Sequence, residues 1–198
     1  VIYKYSPKLT AVATYSYRPE EATELTANPT SNPSSKNHRF EVGLEGQLAP
    51  KITGDVSVGI VYRDFDLGGD TNTLLLKSVV SWQVDQKTNV ALNVSNDFDT
   101  TPGAESAENL SVGASSRHAL SPKLNVGASI RYTHSKLQER PGPTERTDES
   151  TTLGLNASYQ VSDNFNVDGS LSWRDNDSTL ARSVYQRNTA TVAARYNF

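Results

Sequence analysis

The residues best equipped for covalent chemistry are few. Ser116-Arg117-His118 places a hydroxyl and an imidazole on one side of an extended segment, the pairing a nucleophile and its base require. Side chains two apart on a strand stand about 7 Å from one another, too far for the hydrogen bond that activates a serine. His38 and His134 lie beside polar segments and join no carboxylate–serine constellation. The chain has no cysteine, which removes disulfides and thiolate metal sites, and no histidine–carboxylate spacing suggests a metal centre. Asp66-Leu67-Gly68-Gly69-Asp70 is too short for a helix–loop–helix calcium loop and reads as a Gly-rich turn. No catalytic residue, metal or cofactor is expected, and the chain is not read as an enzyme.

The other chemistry on offer is electrostatic. Arg18, Arg39, Glu41, Glu45, Asp55, Arg63, Lys77, Asp97, Arg117, Arg131, Asp168, Arg174, Arg187 and Arg195 all sit at polar positions of alternating segments. Whether they share one surface depends on the elements that carry them. Apolar and polar side chains alternate in stretches of about ten residues, up to Val192-Ala193-Ala194-Arg195-Tyr196-Asn197-Phe198. A period of two gives a strand one apolar and one polar face. Leu124, Val126, Ala128, Ile130 and Tyr132 oppose Asn125, Gly127, Ser129, Arg131 and Thr133; Phe165, Val167, Gly169, Leu171 and Trp173 oppose Asn166, Asp168, Ser170, Ser172 and Arg174.

Tight turns recur at Ser6-Pro7-Lys8-Leu9, Ala49-Pro50-Lys51-Ile52, Asp85-Gln86-Lys87-Thr88, Ser121-Pro122-Lys123-Leu124 and Ser162-Asp163-Asn164-Phe165. Pro at the second turn position pre-sets φ and cannot continue a ladder. The repeat of roughly forty residues equals two strands, one short turn and one longer loop. The longer loops are expected at about 19–37, 66–72, 99–106, 138–149 and 175–181, where Asp, Glu, Thr, Pro, Gly and Asn gather. Strands are expected at about 1–5, 9–18, 39–49, 52–64, 73–84, 88–98, 109–120, 124–135, 150–161, 165–175 and 185–198. Eleven strands sit uneasily with the even number of a bacterial barrel, so the 198 residues are read as the C-terminal part of a larger one, with N-terminal strands and any export signal upstream.

With 35% hydrophobic residues and a mean hydropathy of -0.55, the chain offers no run of roughly 18–20 apolar residues for a spanning helix. A spanning barrel needs no such run, because only every second residue must be apolar. A net charge of -3 argues against nucleic acid as a partner. The position of the aromatics then separates a membrane barrel from a soluble one. Tyr15, Tyr17, Tyr62, Tyr132 and Trp173 fall near loop ends; Trp82, Tyr159, Tyr196 and Phe198 fall near turn ends. Two aromatic belts mark the two membrane–water boundaries of a lipid-facing surface. His118, near the lower boundary, is read as an interfacial residue. The fold class is therefore all-β: an antiparallel up-and-down transmembrane β-barrel.

Val61-Tyr62-Arg63-Asp64-Phe65, Val80-Ser81-Trp82-Gln83-Val84, Arg117-His118-Ala119-Leu120-Ser121-Pro122-Lys123-Leu124 and Trp173-Arg174-Asp175 resemble the putative β-barrel porin 2 family of Gram-negative outer membranes. The resemblance runs over essentially the whole chain as a succession of hairpins. It implies the outer membrane as location, outer-membrane lipid as surroundings and no catalytic or cofactor site. Some such proteins are associated with exopolysaccharide export, which implies a polysaccharide or an envelope protein as a partner. The aromatic terminus, Tyr196 and Phe198, resembles the signal read by the barrel assembly machinery.

Three readings of the polar face follow. In one it lines an aqueous pore whose excess of Arg favours small anionic solutes. In another, Arg and Glu on neighbouring strands pair and stiffen or plug the interior. In a third, the barrel is structural or holds a partner, with the 19–37 loop as a contact.

Overall fold

The computed structural model describes residues 1–20, 35–65, 70–99, 104–139 and 145–197. Its strands are β1 (Ile2–Ser6), β2 (Leu9–Glu20), β3 (Ser35–Ala49), β4 (Ile52–Phe65), β5 (Thr71–Gln83), β6 (Thr88–Asp99), β7 (Ala104–Ser121), β8 (Leu124–Glu139), β9 (Glu145–Ser162), β10 (Phe165–Ser178) and β11 (Tyr185–Tyr196), with one 3₁₀ turn at Ala181–Ser183. Each strand pairs antiparallel with its sequence neighbours in a single sheet of order β1 to β11. This is the up-and-down meander that the alternation implies. In a meander of eleven strands β1 and β11, the two edges, run in the same direction.

The five tight turns form where expected, and side-chain hydrogen bonds brace three of them. Ser6 Oγ accepts the Lys8 N–H at 3.2 Å, and Ser121 Oγ accepts those of Lys123 and Leu124 at 3.3 and 3.1 Å. Asp85 Oδ1 accepts the Lys87 and Thr88 N–H groups at 2.7 and 2.8 Å, while Thr88 Oγ1 donates to Oδ2 at 3.0 Å. These bonds stabilise the ionised carboxylate, first the one from Lys87, and hold Asp85 below the ordinary Asp range. Lys51 occupies the left-handed region at φ 65°, beside Pro50. Gly46 takes φ 125°, and a Cβ there would collide with the Lys8 carbonyl oxygen.

The strands run further toward the loops than the composition suggests. β7 begins at Ala104, not near 109, β9 at Glu145, not near 150, and β10 continues to Ser178. Polar residues there report exposure to water, not loss of pairing. A 16-residue strand such as β8 is about 53 Å long, or about 40 Å high when tilted, against an apolar band of about 25 Å. The ladder therefore projects beyond the lipid.

The molecule is inverted relative to a water-soluble sandwich. Among the described residues the buried hydrophobic side chains are Val61 and Leu75, while Phe40, Ile60, Leu74, Leu92, Ile130, Leu155, Leu171 and Val192 are exposed. Those exposed side chains share one face by register: Phe40 pairs with Ile60 and Ile60 with Leu74; Leu155 pairs with Leu171. The opposite face is polar and concave. One cavity of about 730 Å³ on it is lined by residues from every strand between β2 and β8, among them Thr14, Glu41, Asp55, Lys77, Asn93 and Arg131. The convex apolar face is the one that can meet acyl chains.

Candidate solute pathway on the concave face

Register places the predicted charged residues on one surface. Arg18 pairs with Asn37 and Asn37 with Arg63; Glu45 pairs with Asp55; Lys77 pairs with Ser95, two residues from Asp97. Arg39 and Glu41 alternate with Asn37 along β3, and Arg117 pairs with Asn89 and Gly127. Arg131 pairs with Thr152, Thr152 with Arg174, and Arg174 with Arg187; Asp168 and Arg195 lie on the same face, opposite Ser158 and Asn166.

The face brings some of these groups together. Arg39 Nε donates to Glu41 Oε2 at 3.0 Å and Arg39 Nη2 to Asp97 Oδ2 at 3.3 Å. Lys77 Nζ lies 3.7 Å from Glu41 Oε1 and 3.9 Å from Asp97 Oδ2. Strands β3 and β6 are three spacings apart, about 14 Å in a flat sheet, so the contact of Arg39 with Asp97 depends on long side chains converging over a concave surface. Two cations and two carboxylates form a compensated cluster.

Arg63 shares the face but not its openness. It is 5% exposed and its Nε donates to Asn37 Oδ1. Ser35, Asn37, Val61, Thr73 and Leu75, on the same face near the loop ends of β3 to β5, are buried with it. Arg63 therefore lies on the polar face as its parity implies, but its guanidinium is not open to the lumen. Parity assigned the face; it carries no information on what covers it.

The predicted aromatics occupy the opposite, convex face. Tyr15, Tyr17, Tyr62, Tyr132 and Trp173 lie toward the loop ends, and Trp82, Tyr159 and Tyr196 toward the turn ends. Phe198 lies outside the described residues. Tyr15 Oη is 2.9 Å from His38 Nδ1, the Tyr17 ring sits 4.9 Å from that imidazole, and Tyr62 donates to Asp70. His38, Phe40 and Phe165 thus join the aromatic positions; Phe165 pairs with Tyr196. His118 Nδ1 meets Thr88 Oγ1 at 2.9 Å, on the convex side, rather than Ser116. His134 Nδ1 meets Glu149 Oε1 at 3.3 Å. Among the described residues no group of three or more His, Cys, Asp or Glu side chains is placed to hold a metal ion.

Arg146 and Asp148, which composition assigns to a loop, lie on β9 and form a two-toothed ion pair, Nε to Oδ1 at 2.9 Å and Nη2 to Oδ2 at 2.5 Å. Every residue from Glu145 to Thr152 is polar, so no alternation marks a strand there.

Known structures share this architecture. The FrpB iron transporter from Neisseria meningitidis (F3-3 variant) superposes with a TM-score of 0.72 at 10% identity, over 100% of this chain and 39% of that one. OmpT, an outer membrane protein of Vibrio cholerae, superposes as its loop L8 deletion mutant with a TM-score of 0.56 at 12% identity, over 98% of this chain and 60% of that one. The chain thus spans about two fifths of the FrpB transporter and three fifths of that OmpT, and at these identities the likeness concerns the fold. No curated protein matches the sequence. A family model described as Putative beta-barrel porin 2 matches residues 2–198, and with its lipid-facing convex surface and polar concave one the chain belongs to that family of outer-membrane β-barrel proteins of Gram-negative bacteria.

Proposed function

We propose that the protein is a porin-like channel that passes small hydrophilic solutes across the outer membrane, with anions favoured, and that it is not an enzyme. The observation that carries this reading is the concave polar face: a cavity of about 730 Å³ lined from seven strands by Thr, Ser, Asn and charged residues, with Val, Leu and Ala between them. Solutes crossing such a surface exchange hydration water for hydroxyl and amide groups, and fixed charges bias which ions enter. Lipid surrounds the convex face, and the assembly machinery is the partner expected during insertion.

A second reading has the barrel as a structural or partner-holding element of the envelope, with a polysaccharide or another protein at its lumen or rim. The burial of Ser35, Asn37, Arg63, Thr73 and Leu75 at one end of the concave face favours it, because that end is covered. Planar-bilayer recording separates the two. Ion-selective conductance steps support the channel; insertion without conductance supports the partner-holding barrel.

A further inference from the structure

One rung of the sheet concentrates guanidinium groups. Across β8 to β11 the paired residues are Arg131, Thr152, Arg174 and Arg187. Arg174 and Arg187 are direct cross-strand partners, an arrangement in which like charges repel. Adjacent strands lie about 4.8 Å apart, so the four residues cover roughly 15 Å.

The neighbouring rungs on this face hold no acid, Asp175 projecting to the other one. On one side lie Ser129, Gly154, Ser172 and Thr189; on the other, Thr133, Ser150, Asn176 and Tyr185. Farther along these strands, Asp148 is held by Arg146, and Asp168 stands six residues from Arg174. Arg174 Nη2 donates to Ser150 Oγ at 3.2 Å, while its Nε is buried without a hydrogen-bond partner. The Arg187 guanidinium lies 5.9 Å from the Tyr185 ring centroid. Arg131 is exposed and opens onto the concave cavity. Followed the other way, the same rung reaches Glu45 opposite Asp55, which repel an anion from that end.

Repulsion between Arg174 and Arg187 and the unmet Nε donor are both relieved by an oxyanion seated among these arginines. We propose that Arg131, Arg174 and Arg187 form a binding station for the carboxylate, phosphate or sulfate group of a hydroxyl-bearing solute, whose hydroxyls meet the flanking Ser and Thr rungs. The proposal rests on the channel reading only for how the solute arrives; binding itself is measurable without transport.

The test is calorimetric titration of the full chain, folded in detergent, with citrate, with inorganic pyrophosphate and with uncharged glycerol. Citrate or pyrophosphate binds saturably and glycerol does not, and the tighter of the two distinguishes a carboxylate from a phosphate solute. Arg131→Gln, Arg174→Gln and Arg187→Gln together weaken binding by about tenfold or more, whereas Lys123→Gln, in a tight turn, leaves it at the parent value. Arg187→Gln alone, at an exposed position, keeps the test in force if the triple variant does not fold. No saturable binding of either oxyanion, or equal binding by parent and arginine variants, overturns the station. Conductance recorded in parallel separates the readings: pores without oxyanion binding leave the channel and remove the station, and binding with silent insertion does the reverse.

Discussion

The concave face has two walls that differ in how their charges are balanced. On β2 to β6 the described cations Arg18, Arg39, Arg63 and Lys77 stand against Glu41, Glu45, Asp55 and Asp97, and several meet in the Arg39–Glu41–Lys77–Asp97 cluster. On β7 to β11, among the described side chains, Arg117, Arg131, Arg146, Arg174, Arg187 and Arg195 stand against Asp148 and Asp168. A balanced wall satisfies its own charges and stiffens the sheet. An unbalanced one leaves a field for a solute to feel. The same alternating pattern thus serves two ends, decided by which sign sits across the ladder.

The contrast presupposes that these walls face water while the other side of each strand faces lipid, and that premise can be broken first. Leu171→Arg is expected to cost about 2–4 kcal/mol of folding free energy in liposomes, and Ser172→Arg, one residue on, much less. Equal costs in urea titrations would remove the distinction between the faces. Next in size, Arg63→Met leaves the buried Asn37 Oδ1 without its donor, at a cost of about 1–3 kcal/mol. The same variant is expected to leave the reversal potential under a salt gradient nearly unchanged, whereas Arg131→Glu shifts it toward cations. A large shift from Arg63→Met would show that the covered end is open.

A finer test addresses the balanced wall itself. A double-mutant cycle on Arg39 and Asp97 is expected to give a coupling of about 0.2–1 kcal/mol, because both groups are only half-buried and salt screens them. A coupling indistinguishable from zero would make that balance accidental. The smallest effect lies outside the membrane, at Asp85. Its carboxyl titrates below the ordinary range in the folded turn, so its stabilisation is complete above that range and is lost as pH falls through the depressed value. Exchange of the Lys87 and Thr88 amides should quicken over that acidic interval in the parent and not in Asp85→Ala. Identical profiles would remove the role given to the carboxylate.

Much of this was legible in one dimension. A period of two assigns every strand residue to a face, so Arg131 and Ile130 separate on sequence alone. Pro7, Pro50 and Pro122 mark turns because the ring fixes φ and donates no hydrogen bond. Strand ends were less legible: Glu145 to Asp148 read as loop because composition senses water, and the paired backbone there is itself in water. Burial of Arg63 was not legible at all, since it alternates as an open position would, whereas Leu75 interrupts the alternation within Leu74-Leu75-Leu76.

The sequence by itself determined the strands, their turns and the two faces, because alternation and turn chemistry act over a few neighbouring residues. Only the tertiary structure decided which charges meet. Arg39 finds Asp97 across two intervening strands, and Arg174 finds Arg187 rather than a carboxylate, through register and curvature. Those are properties of the assembled sheet, set by where each turn places the next strand and not by the residues on either side.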